Sequence, residues 1–222
     1  MPTRSATPWR RSRRAGVVHG GRRSPKLTDG LHGRVHSLKP PAPGEALPLF
    51  RCDNPSRAFF FPVTPDEVRH TLARLPARHT EELTHVWFRR VSAREFAEGR
   101  TPLAEFVRGS GVAAIILYPW PTDRLLRFGH RATPAAVLRF YRPWQPTQVS
   151  DEQGQALCFT AEALRHFYLE HLLLHEVGHL VDSRRGPPSR ARARRAESVA
   201  DSYAVRWSAQ GRVEFVEGDA GD

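Results

Sequence analysis

The stretch LEHLLLHEVGHLVDSRRG, Leu169 to Gly186, places two histidines four residues apart, with a glutamate directly after the first, inside an otherwise apolar helical pattern. His175, Glu176 and His179 spell His-Glu-x-x-His. Four residues are slightly more than one helical turn, so both imidazoles project from one face and can reach one metal ion at about 2.0 to 2.1 Å. Glu176 is turned about 100° from His175, beside such an ion rather than on it, where a carboxylate can take a proton from water. Two neutral nitrogen donors without sulfur favour zinc.

The helical context extends in both directions. Leu164, Phe167, His171, Leu174, His175, Gly178, His179 and Asp182 share a face, which predicts a helix over about 161–183, ended by Gly186, Pro187 and Pro188. A second helix is expected over about 190–209, through RARARRAESVADSYAVRWSAQ. It carries Glu197, eighteen residues after His179, and the Gly-Pro-Pro turn can bring it back alongside the first. A hydrolytic zinc site needs three protein ligands and an open position, and Glu197 is the candidate third. Asp201, one turn further on, can accept the second ring N–H of a ligating histidine. Ala200 and Ala204 would let the helices approach closely. The plainer alternative for Glu197 and Asp201 is a solvated acidic pair.

Upstream, VTPDEVRHTLARLP predicts a helix with Thr64 as N-cap, Pro65 at its first position and Glu67 closing a capping box, with Val63 and Val68 as a hydrophobic staple. Leu83 to Val91 reads as a strand, and Ser92 and Glu95 repeat the capping-box spacing ahead of a short helix. Gly111 to Trp120 reads as a buried strand, and the segments Val137 to Tyr141 and 156–160 as further strands. Strands followed by two long helices make an α+β fold with a small mixed sheet. Trp87, Trp120, Trp144 and Trp207 are expected in the core or at its rim.

Composition divides the chain. Of the net charge of +11, most resides in residues 1–45, where ten Lys and Arg face Asp29 and Glu45. That segment has no sustained apolar periodicity and cannot offset its own ordering entropy, so it is expected to be a disordered basic tail. One domain over 46–215 and a short C-terminal tail over 216–222 complete the division. AGVV at 15–18 is too short for the apolar part of a secretory signal, and no apolar run reaches the roughly 18 residues that span a bilayer. Cys52 and Cys158 are far apart and have no close partner, which suits a reducing cytoplasm rather than a disulfide framework.

HEVGH followed by ESVAD resembles the gluzincin branch of the zinc metallopeptidases, the thermolysin-like group, over about residues 164–205, and the short chain resembles its minimal members. The resemblance implies a zincin-like fold, one Zn2+ per chain bound by His175, His179 and Glu197, Glu176 as general base, and Asp201 orienting a ligand. It implies hydrolysis of peptide bonds by a metal-activated water. The metzincin pattern would need Gly at 182 and His at 185, where this chain has Asp182 and Arg185. Aspzincins use an aspartate as third ligand, which keeps Asp201 in play for that role. No histidine follows His179 to stabilise an oxyanion, and Tyr203 points off the face shared by Glu197 and Asp201.

His171 precedes His175 by one turn but, at 1.5 Å rise per residue, stands about 12 Å from His179, so it is expected to pack or to support the site rather than share its metal. His166 and the remaining histidines read as surface residues. Arg184, Arg185, Arg190, Arg192, Arg194 and Arg195 surround the turn between the two helices; Arg184 and Arg185 are candidate cleft residues for an acidic peptide substrate. The same arginines, with the basic tail, support an alternative in which a zincin fold uses metal for sensing or structure and contacts nucleic acid. An extended peptide would pair with an edge strand, either Val137 to Tyr141 or 156–160.

Overall fold

The computed structural model describes residues 38–97, 101–130, 132–183 and 195–208. In chain order the strands are β1 (Leu49–Cys52), β2 (Phe59–Phe60), β3 (His85–Phe88), β4 (Ala104–Gly109), β5 (Val112–Leu117), β6 (Trp120–Pro121), β7 (Leu125–Gly129), β8 (Thr147–Asp151) and β9 (Gly154–Cys158). The helices are α1 (Pro65–Ala73), α2 (Ala77–Thr80), α3 (Ala93–Ala97), α4 (Ala135–Tyr141), α5 (161–183) and α6 (195–208). Among the described residues the fold is α+β, with three small sheets.

The main sheet runs β1-β3-β5-β4: the first three strands are parallel and β4 lies antiparallel to β5. Val86, Ala114, Ile115, Ile116 and Leu117 are fully buried, because both faces are covered. On one face α5 packs against β4 and β5, and Leu164, Phe167, Tyr168, Leu173, Val177 and Leu180 are fully buried in the larger core. Each such side chain contributes roughly 1.5 to 3 kcal/mol relative to exposure. On the other face Trp87, Val91, Ile116 and Tyr118 form a second core with Leu38. Leu38 belongs to the segment expected to be a tail, so the packed part of the chain begins upstream of residue 46.

Local sequence rules account for the helix starts. Glu67 N–H donates to Thr64 Oγ1 at 3.3 Å and Thr64 N–H to the Glu67 carboxylate at 2.7 Å, the expected capping box. Ser92 and Glu95 repeat it at 3.0 and 3.2 Å. Helix α5 starts where Ala163 N–H donates to Thr160 Oγ1 at 3.0 Å. It comprises Ala161–His166, a π-helical stretch Phe167–Leu173, and Leu174–Ser183.

Several expectations need correction. Val137 to Tyr141 is not a strand but part of α4, whose buried residues Val137 and Tyr141 are four apart, one helical turn, where a strand would bury alternate residues. The 156–160 segment falls on β9, the middle strand of the sheet β7-β9-β8, so both its edges are already paired. Neither segment can therefore take up a peptide by strand addition. His85 is buried, not superficial: it lies in doubly covered β3, and its Nδ1 stands 2.9 Å from Thr84 Oγ1. β1 and β4 lie in segments for which the sequence suggested no strand.

Candidate metal centre

The carboxyl-terminal part of α5 and one face of α6 meet along a seam of small residues. A Cβ placed on Gly178 would lie 2.7 Å from Ala200 Cα, so the helices are as close as glycine permits. Ala200 and Ala204 are buried in that seam, as their size suggested. Close contact brings α6 near enough for short acidic side chains to reach the histidines of α5.

Three donor groups converge there. His175 Nε2 and His179 Nε2 are 3.0 Å apart, with the rings at 82°. Glu197 Oε2 is 3.6 Å from His175 Nε2, and Glu197 Oε1 is 3.7 Å from His179 Nε2. Ligands on a tetrahedral zinc stand roughly 3.3 Å from one another, and the observed separations bracket that value. Two imidazole nitrogens facing each other this closely need a proton or a cation between their lone pairs. The donor set therefore fits a small divalent ion, and the three residues lie within metal-binding reach of one another.

Asp201 occupies a different position. Its Oδ1 lies 2.9 Å from His175 Nδ1, on the side of the ring away from Glu197. Distance and alignment differ here: the pair is close, yet Nδ1 has no well-directed hydrogen-bond partner. Glu197, not Asp201, faces both Nε2 atoms.

Glu176 is 2% exposed and lies near Phe106 of strand β4, whose backbone amide favours its charged form. Burial raises its pKa to about 8; Glu105 and Glu197 push the same way, and His175 and Phe106 oppose them. A carboxyl group held there can accept and return a proton near neutral pH. Burial disfavours a charge on His175, but Asp201 and Glu197 outweigh it and hold the imidazolium up to about 10. Burial, then the His175 charge, pushes His179 down to about 4.

His171 does not join the Glu197 group. It lies within ligand reach of His175 and Asp201 and is enclosed by Phe167, Phe140 and Trp144. Tyr203 is committed elsewhere, its hydroxyl 2.8 Å from His79 Nδ1. Arg195 is exposed at the start of α6; Arg184, Arg185, Arg190, Arg192 and Arg194, residues 1–37 of the basic tail expected over 1–45, and the C-terminal tail lie outside the described residues.

Sequence reasoning missed the strand beside Glu176. Its signal was available: Ser110 and Gly111, both with positive φ (52° and 76°), form the two-residue turn between β4 and β5, and a Ser-Gly pair between apolar runs is a hairpin cue. Among the described residues, no helix is long and apolar enough to cross a membrane. Cys52 and Cys158 are both free. No family model matches the chain, and no curated protein or solved structure matches it significantly.

Proposed function

We propose that the protein is a zinc-dependent metallopeptidase with a zincin-like fold. The observation that carries this reading is the convergence of His175 Nε2, His179 Nε2 and Glu197 at 3.0 to 3.7 Å, with Glu176 buried beside them. His175, His179 and Glu197 would hold the ion. Bound zinc supplies Lewis acidity toward a carbonyl and lowers the pKa of water.

The chain's own groups do the rest. Strand β4 is the edge of the main sheet and is paired on one side only, so an extended peptide can add to it through main-chain hydrogen bonds. Phe106 marks where that edge meets the Glu176 carboxylate. Glu176 takes a proton from the attacking water and returns it to the leaving amine, and its burial keeps the proton available near neutral pH. Asp201 orients His175 from the ring's other nitrogen.

Metal content tests this reading. Purified protein should contain close to one zinc per chain, and both His175→Ala and Glu197→Ala should lose it. Metal-free wild-type protein that fails to take up added zinc would refute the proposal.

A further inference from the structure

Outside the three metal-facing groups, His171 is a polar side chain near the centre that has no assigned part. His171 lies in the π-helical stretch of α5, a conformation that is rare and concentrated at functional sites. Its ring is fixed on several sides: Phe167 stacks on it at 5.6 Å and 13°, Phe140 meets it edge-on at 5.2 Å, and Trp144 at 5.2 Å and 59°. The cage is aromatic, and among the described residues no hydrogen bond joins it to the ring nitrogens. A histidine enclosed this way is less favourable there than a phenylalanine, unless a nitrogen is used at the open edge.

At that open edge are His175 and Asp201. The ring centroids of His171 and His175 are 5.9 Å apart, and ligand atoms of His171, His175 and Asp201 all lie within 4.8 Å of one another. Asp201 is itself 60% exposed at its side chain, so water competes for the carboxylate that must hold His175 Nδ1. A carboxylate with one protein partner and an open rotamer is a poor orienting group. A second donor from the buried side would fix it.

We propose that His171 is a positioning residue: caged by Phe140, Trp144 and Phe167, it donates to Asp201, which thereby holds His175 with Nε2 directed at the metal. The inference rests on the metal-binding reading above and adds a third layer to it. His171 does not touch the metal or the substrate. It acts on how firmly the ion is held.

The test is a double-mutant cycle on metal affinity, measured by zinc competition with a chromophoric chelator. His171→Phe keeps the aromatic packing and removes the nitrogens; it should weaken zinc binding about tenfold, the lower end for residues that support a metal ligand. His171→Gln, which restores a donor, should recover most of the loss. In an Asp201→Asn background, His171→Phe should have almost no further effect. Equal losses with and without Asp201, or no loss in His171→Phe, would overturn the inference while leaving the metal site intact. Wild-type protein that binds no zinc would overturn both.

Discussion

Gly178 on α5 faces Ala200 on α6 with no room for a side chain between them: a Cβ on Gly178 would come within 2.7 Å of Ala200 Cα and 3.1 Å of Tyr203 Cβ. Both obstacles belong to the helix that carries Glu197. Gly178→Ala should therefore push α6 outward and separate Glu197 from the histidines. We expect a stability loss of about 1 to 3 kcal/mol from overpacking, together with weaker zinc binding. Thermal unfolding and zinc titration on the same variant measure the two effects. Ala200→Gly in the Gly178→Ala background should recover little, because the nearest obstacle is Ala200 Cα, which a glycine keeps.

Glu197 and Asp201 are one turn apart, but they address opposite nitrogens of His175. Loss of a ligand and loss of an orienting group should differ in size. Asp201→Asn should leave a metal-binding protein weakened about 10- to 100-fold, whereas Glu197→Gln should not retain zinc through purification. Zinc content by elemental analysis separates them; the reverse order would make Asp201 the third ligand.

Glu176 lies beside the donor cluster without belonging to it. Glu176→Gln should keep zinc at the wild-type level and lose peptide hydrolysis by at least about a hundredfold, the lower range for removing a general base. Cleavage of a mixed peptide library, followed by mass spectrometry, is a suitable readout because it presumes no sequence preference. Equal cleavage by both proteins would remove Glu176 from its role.

How much of this was legible in the chain depends on range. Thr64, Ser92 and Thr160 act as helix starts because their partners are three residues away, and the sequence displays that spacing directly. His175 and His179 were equally plain, since one helical turn joins them. The link to Glu197 needed only that two helices pack, and the small residues at 178, 200 and 204 pointed to it. By contrast, α4 was misread because Val137, Phe140 and Tyr141 favour strands locally, while their burial pattern is set by the core beneath them. The position of β4 against Glu176 depends on sheet order, which no local pattern records. The cage around His171 joins α4 and the turn after it to α5 across residues distant in sequence, and misreading α4 concealed it.

On the opposite face of the main sheet, Tyr118 Oη donates to the Glu105 carboxylate, and Arg89 donates to Tyr118 Oη at 3.0 Å. Burial raises Glu105 from 4.5 to about 7, against the pull of Tyr118 and Arg89. An acid whose pKa is higher in the folded state binds its proton more firmly there, so this contribution favours folding at low pH and fades as pH rises from about 4.5 to 7. Glu105→Gln keeps an acceptor for Tyr118 and cannot ionise. Relative to wild type it should gain stability across that interval, on the order of 3 kcal/mol at most. Unfolding midpoints at pH 5 and pH 8 measure the difference; an unchanged gap between the two proteins would contradict it.

His179 and Glu197 are separated by seventeen residues of chain, and neither cysteine bridges any part of it. An ion gripped by both would tie the chain into a loop, much as a disulfide does, and restrict the unfolded ensemble as well as the native one. Such a clip would add to the packing of Ala200 and Ala204 that already holds α6 against α5, and its strength would follow zinc supply.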